Sequence, residues 1–150
     1  MSETTIDASA QRVRRLRNRR DLLELDIRRE VKRLYETGLS ERKIARLVEV
    51  AQPTIHKMLE VASRDPELLD GFAGATPMEI CQRYAAGEFD REQLVDELVR
   101  YPYTKEGTTD GYDWLSVDPP GTWSEVSAAI ERGLIDEDVY VDVFNRRHGQ

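Results

Sequence analysis

The sequence predicts an all-α protein, and three observations predict it. Residues 8–37 contain neither glycine nor proline and are dominated by Arg, Leu, Glu and Lys, which are good helix formers. Further along, apolar residues recur at three- and four-residue spacing instead of alternating. Helix punctuation also recurs, with Thr-x-x-Glu openings, glycine stops and aspartate restarts. The expected order is a long N-terminal helix, two short helices joined by a tight turn, and a domain of two helical hairpins.

Residues 1–10 have the composition of a frayed terminus. The long helix is expected from about Ala8 to Thr37. It opens with six arginines in the nine residues from Arg12 to Arg20. Leu23, Ile27, Val31 and Leu34 form a stripe that should brace the helices that follow. Val13 and Leu16 extend the stripe, but Arg20 and Glu30 interrupt it, so a coiled-coil dimer along this helix is imperfect. The arginines have two readings. They form a solvated face partly paired with Asp21, Glu24 and Asp26, or a basic arm that lays Arg12, Arg15 and Arg19 along a DNA backbone.

Gly38 ends that helix and Ser40 is a good N-cap for the next, in which Ile44, Leu47 and Val48 share a face and Ala45 permits close approach. Val50 closes a turn, and Pro53 suits the first position of another helix. There Ile55, Met58, Leu59 and Ala62 point one way, while Pro53, His56, Lys57, Glu60 and Arg64 point the other. With Gly38-Leu39-Ser40, the central Ala45 and the run from Val50 to Thr54-Ile55, residues 27–62 resemble the helix-turn-helix of bacterial and phage repressors and of resolvase-like recombinases. One departure is Glu49, where that family usually has a turn glycine. The resemblance implies binding to double-stranded DNA at a palindromic or repeated site, usually by a homodimer. It places Gln52, Thr54, His56 and Lys57 at base edges, and Ser40, Arg42, Lys43 and Arg46 beside them on the first helix.

Charge divides the chain. Residues 1–64 carry fifteen Lys+Arg against ten Asp+Glu, a net +5, and residues 65–150 carry seven against nineteen, a net −12. A basic half can neutralise phosphates, and an acidic half is repelled by them. The expected organisation is a DNA-binding domain over 1–64, a linker over 65–75 and an acidic helical domain over 76–150.

Within the acidic half, residues 76–100 align without gaps on residues 122–146. Thr76, Glu79, Gly87, Asp90, Val95, Asp96 and Arg100 recur as Thr122, Glu125, Gly133, Asp136, Val141, Asp142 and Arg146. Each unit therefore reads as a helical hairpin, and the two should pack together because neither can bury its apolar face alone. The connection over 101–121 is rich in proline and glycine. Its aromatics, with the adjoining Trp123, either pin it to the hairpins or offer Tyr101, Tyr103, Trp114 and Trp123 to a protein partner.

No phosphate loop, dinucleotide fingerprint, nucleophile elbow or EF-hand loop is present, and two histidines with one cysteine spell out no zinc site. No catalytic residue, metal site or cofactor is expected, and the chain is not expected to be an enzyme. With no long apolar run and no signal peptide, a cytoplasmic location is expected. Cys81 is expected to be a buried apolar residue. The combination resembles the layout of antitoxins, which repress their own operon and hold a basic toxin. A stand-alone phage-type repressor with a C-terminal dimerisation domain, and an interaction adaptor that touches no DNA, remain open.

Overall fold

The computed structural model describes residues 2–105 and 120–149, and those residues form seven α-helices with no strand. They are α1 (Glu3–Glu36), α2 (Glu41–Val48), α3 (Gln52–Ala62), α4 (Pro77–Ala85), α5 (Arg91–Arg100), α6 (Ser124–Glu131) and α7 (Glu137–Arg147). The chain divides into two compact units, Met1–Asp65 and Pro66–Gln150. None of the described helices is long and apolar enough to cross a membrane.

In the first unit, α1 starts at Glu3, earlier than composition predicts, because Ser2 caps it by accepting the Thr5 N–H at 3.2 Å. It ends where the Thr37 hydroxyl bonds to the Leu34 carbonyl and Gly38 turns the chain with φ +100°. A small core of Val31, Ile44, Ala45 and Ile55, edged by Leu34, Leu39, Val50, Met58 and Leu59, joins α1, α2 and α3. The predicted stripes are only partly used. Leu23 and Ile27 on α1, and Leu47 and Val48 on α2, stay exposed. The α2 contact is therefore about one turn deep. A two-pronged ion pair at the far end ties the unit together, with Arg28 Nε donating to Asp65 at 2.8 Å and Nη2 at 3.3 Å. Both side chains are about four-fifths covered, so this pair is worth more than a solvated one.

In the second unit, α4–α5 and α6–α7 are hairpins, with α4 packed on α6 and α5 on α7. Ile80, Leu94, Leu98, Val126, Ala129, Val139 and Val143 lie fully within its core. The 46-residue repeat reappears in the polar detail. Glu79 accepts the Ala75 N–H at 2.9 Å, and Glu125 accepts that of Gly121, the matching position. Asp90 caps α5 through the Gln93 N–H (2.9 Å), as Asp136 caps α7 through the Val139 N–H (3.1 Å). Gly87 and Gly133 both stand at positive φ, and the Asp96–Arg100 and Asp142–Arg146 pairs both measure 2.8 Å.

Two details depart from the repeat. Thr76 caps α4 by accepting the Glu79 N–H at 3.1 Å, whereas the N-cap of α6 falls a residue later, on Trp123, and Thr122 bonds instead to the Ser124 hydroxyl. The α7 helix also buries Val139 and Val143, one position off the matches of Leu94 and Leu98, which leaves Val141 and Phe144 exposed.

The stretch expected as a linker belongs largely to this unit. Leu69 and Phe72 pack on its core, and the Phe72 ring meets Tyr101 edge-on at 5.6 Å. Ala73 donates its N–H at 2.6 Å to Glu97, a side chain only 2% exposed. Gly74 is required here by space, since a Cβ would lie 2.9 Å from Glu79 Cβ and from the Ile80 nitrogen. A fragment of residues 66–150 should thus unfold cooperatively. One starting at residue 76 strips a hydrogen bond from buried Glu97, a loss of about 1–3 kcal/mol. Its melting temperature, followed by circular dichroism, should fall by about 4–8 °C for each kcal/mol lost.

Candidate nucleic-acid interface

The turn between α2 and α3 is set by backbone hydrogen bonds. Ser40 caps α2 by accepting the Lys43 N–H at 3.1 Å, and the Ala45 carbonyl receives the Glu49 N–H and, at 3.1 Å, that of Val50. Glu49 takes the left-handed conformation, φ 61° and ψ 43°, the only positive φ outside glycine among the described residues. The strain anticipated from its identity is therefore real, on the order of 1 kcal/mol. The turn brings Ile55 of α3 down onto Ile44 and Ala45 of α2 and Val31 of α1.

Anchored by Ile55, α3 turns its opposite side outward. Gln52, Thr54, His56 and Lys57 are all exposed, and with Pro53 and Glu60 they occupy its outer surface. Pro53 sits one place later than its usual helix-opening position, because α3 starts at Gln52. Ala51, the N-cap, offers no side-chain acceptor to the first turn. The helix thus presents N–H groups at a terminus whose dipole favours an anion.

The charges around this surface are mixed. His56 Nδ1 lies 3.0 Å from Glu41 Oε1, which ties the exposed helix back to α2. Glu60 pairs with Arg64 at 2.9 Å, four residues on. On α2, Arg42, Lys43 and Arg46 are exposed, while the Ser40 hydroxyl is engaged as the cap. On α1, Arg12, Arg15 and Arg19 are exposed as well. The sequence did not predict the Glu41–His56 tie. Its only signal was an acidic N1 residue fifteen positions before a histidine, which has no local periodicity.

The aromatics of the second unit are engaged internally. Tyr101 is 6% exposed and donates its hydroxyl to the Ala75 carbonyl at 2.9 Å, which pins the start of the connection to the hairpins. Tyr103 donates to the Leu98 carbonyl at 2.6 Å beneath the Arg147 guanidinium, and Trp123 Nε1 donates to the Tyr140 hydroxyl at 3.0 Å. Both keep part of their surface exposed. Trp114 lies outside the described residues. Burial, reinforced by the Glu125 carboxylate, pushes the Cys81 thiol up to about 12, which makes it an inert core residue. Among the described residues no cluster of His, Cys, Asp and Glu could hold a metal ion.

Protein-family models, curated proteins and solved structures offer no match to this chain.

Because Glu49 is strained and exposed, Glu49→Gly should stabilise the first unit by about 0.5–1 kcal/mol, the released strain outweighing the entropy of a glycine. Denaturant unfolding of the two proteins side by side would measure it.

Proposed function

We propose that the protein is a sequence-specific DNA-binding transcriptional regulator. Its α2–turn–α3 segment acts as a helix-turn-helix, with α2 bracing and α3 in the major groove. One observation carries the reading: Gln52, Thr54, His56 and Lys57 share the exposed outer surface of a helix whose other side is locked by Ile55. The resemblance of residues 27–62 to repressors supports it, and so does the basic balance of the first 64 residues. Gln52 is suited to pair bidentately with an adenine edge. Lys57, Arg42, Lys43 and Arg46 supply cations for phosphate, which position without specifying sequence.

Selection from a random duplex pool tests this directly. Gln52→Ala should keep most affinity but relax preference at one base pair, by about 1–3 kcal/mol. Lys57→Ala should weaken binding on all sequences alike. A wild-type chain that enriches no sequence, or a Gln52→Ala variant that selects an identical site with unchanged affinity, refutes the assignment.

The acidic second unit, which phosphate repels, is assigned to contact with a basic protein, as in an antitoxin that holds its toxin and represses its own operon. What supports this is the −12 balance from residue 65 onward and the outer side of α7, where Val141 and Phe144 are exposed beside Tyr140 and Trp123. Purified from its native host, the full chain should carry a stoichiometric basic protein, and Phe144→Ser should weaken that complex about tenfold or more. A chain recovered without such a companion, or with one indifferent to Phe144, removes the antitoxin role.

A further inference from the structure

The Glu41–His56 pair decides which atom of the ring is left to meet a ligand. His56 Nδ1 lies 3.0 Å from Glu41 Oε1 and 3.4 Å from Oε2, so both carboxylate oxygens close on one nitrogen. An ionised carboxylate only accepts hydrogen bonds, so Nδ1 carries the proton and donates it. A free neutral imidazole holds its proton mainly on Nε2. Glu41 therefore reverses the ring and leaves Nε2 with a bare lone pair whenever the ring is neutral. Among the described residues His56 has no other hydrogen-bond partner. Glu60, one turn further along α3, does not compete for the ring, being held by Arg64 at 2.9 Å.

Placement turns that lone pair outward. The Glu41 side chain is 27% exposed and that of His56 70%, so the carboxylate lies against the protein and the ring stands clear of it. Gln52, four residues earlier, is on the same side of α3, the side proposed to enter the major groove. The bases differ there in what they offer a bare nitrogen. Adenine N6 and cytosine N4 carry N–H donors, whereas guanine and thymine present only acceptors on that edge. Two acceptors set face to face repel, so the ring discriminates by the sense of its hydrogen bond.

We propose that Glu41 is a positioning residue that makes His56 an acceptor, so that His56 selects adenine or cytosine on the strand it meets and rejects guanine. This role rests on the DNA-binding reading and adds to it the class of base at one position. It gives the tie between α2 and α3 a purpose beyond bracing, because a brace alone has no effect on which base is chosen.

Two measurements test the role separately from DNA binding. The first uses the free protein and reads the nitrogen-15 shifts of its two imidazoles, His56 and His148, at pH 8.5, about two pH units above the ordinary imidazole value. A His148→Gln chain assigns the signals. His56 should be neutral with its proton on Nδ1, and Glu41→Ala should move that proton to Nε2. A wild-type ring that carries a proton on Nε2 overturns the proposal, whatever the protein binds. The second is selection from a random duplex pool at the same pH. The position at which His56→Ala loses its preference should hold adenine or cytosine in the wild-type site, favoured roughly three- to tenfold over guanine. Glu41→Ala should move that position toward guanine, whose N7 and O6 accept the new Nε2–H. Three results overturn the proposal and leave DNA binding standing: guanine in the wild-type site, a His56→Ala chain with unchanged preference, and a Glu41→Ala chain that melts lower yet selects the same bases. A wild-type chain that enriches no sequence removes the DNA-binding reading, and this role with it.

Discussion

Helices of eight to eleven residues do not hold themselves in water, and six of the seven described helices are that short. The structure therefore depends on how their ends are satisfied. Ser40, Thr76, Asp90 and Asp136 each accept a backbone N–H three residues on, a contribution of about 1 kcal/mol apiece. At the other ends, Gly87 and Gly133 let the chain turn so that the N–H of the next residue returns to the Arg83 and Ala129 carbonyls. The capping residues are thus as important to this fold as its apolar ones, which fits a chain with 39% hydrophobic and 34% charged residues.

The acidic unit buries Glu79 and Glu97 and half-buries Glu125, and each of the three accepts hydrogen bonds from two partners. Glu79 is held by the Ala75 N–H and by Arg83 Nε at 2.8 Å, a pair in which both side chains are nearly enclosed. Glu97 takes the Ala73 N–H and the Gln93 amide. Glu125 takes the Gly121 N–H and, at 3.2 Å, that of Met78, so one carboxylate spans both hairpins at the opening turn of α4. An uncompensated carboxylate in such places would cost several kcal/mol. Satisfied ones fix the register between hairpins more tightly than apolar contacts do, because hydrogen bonds are directional and methyl contacts are not.

Much of this was legible in the sequence, because caps are local. The matched hairpins follow from Thr-x-x-Glu, Gly and Asp at fixed offsets, and the first three helices from an unbroken run of helix formers, Gly38, Ser40 and Pro53. Packing depth was not legible. Periodicity shows which side of a helix is apolar but not how far along its length a neighbour reaches. Hence Val31 is buried while Leu23 and Ile27, on the same stripe, are not. The exposed Val141 and Phe144 have a similar origin, since a shift of one position in α7 keeps the caps and changes the buried side. Residues 65–75 read as a linker because glycine marks irregular backbone, and irregular backbone can still be close-packed, as Gly74 against Glu79 requires. For the exposed face of α3 the residues were legible, but the Glu41–His56 tie depends on tertiary placement.

The first unit shows how unevenly one helix can be covered along its length. The last third of α1 is core: Val31 and Leu34 meet α2 and α3, and Arg28 fastens Asp65 beyond α3. At 1.5 Å per residue α1 is about 51 Å long, roughly three times the length of α3, so its own unit cannot cover it. Before residue 28 only one side of the helix is covered, at Asn18 and Leu22, and the other keeps apolar residues that the core does not use. Ile6, Val13, Leu16, Leu23 and Ile27 are exposed there, interrupted by Ser9, Arg20 and Glu30, and the charges divide into a basic stretch over 12–20 and an acidic one over 21–27.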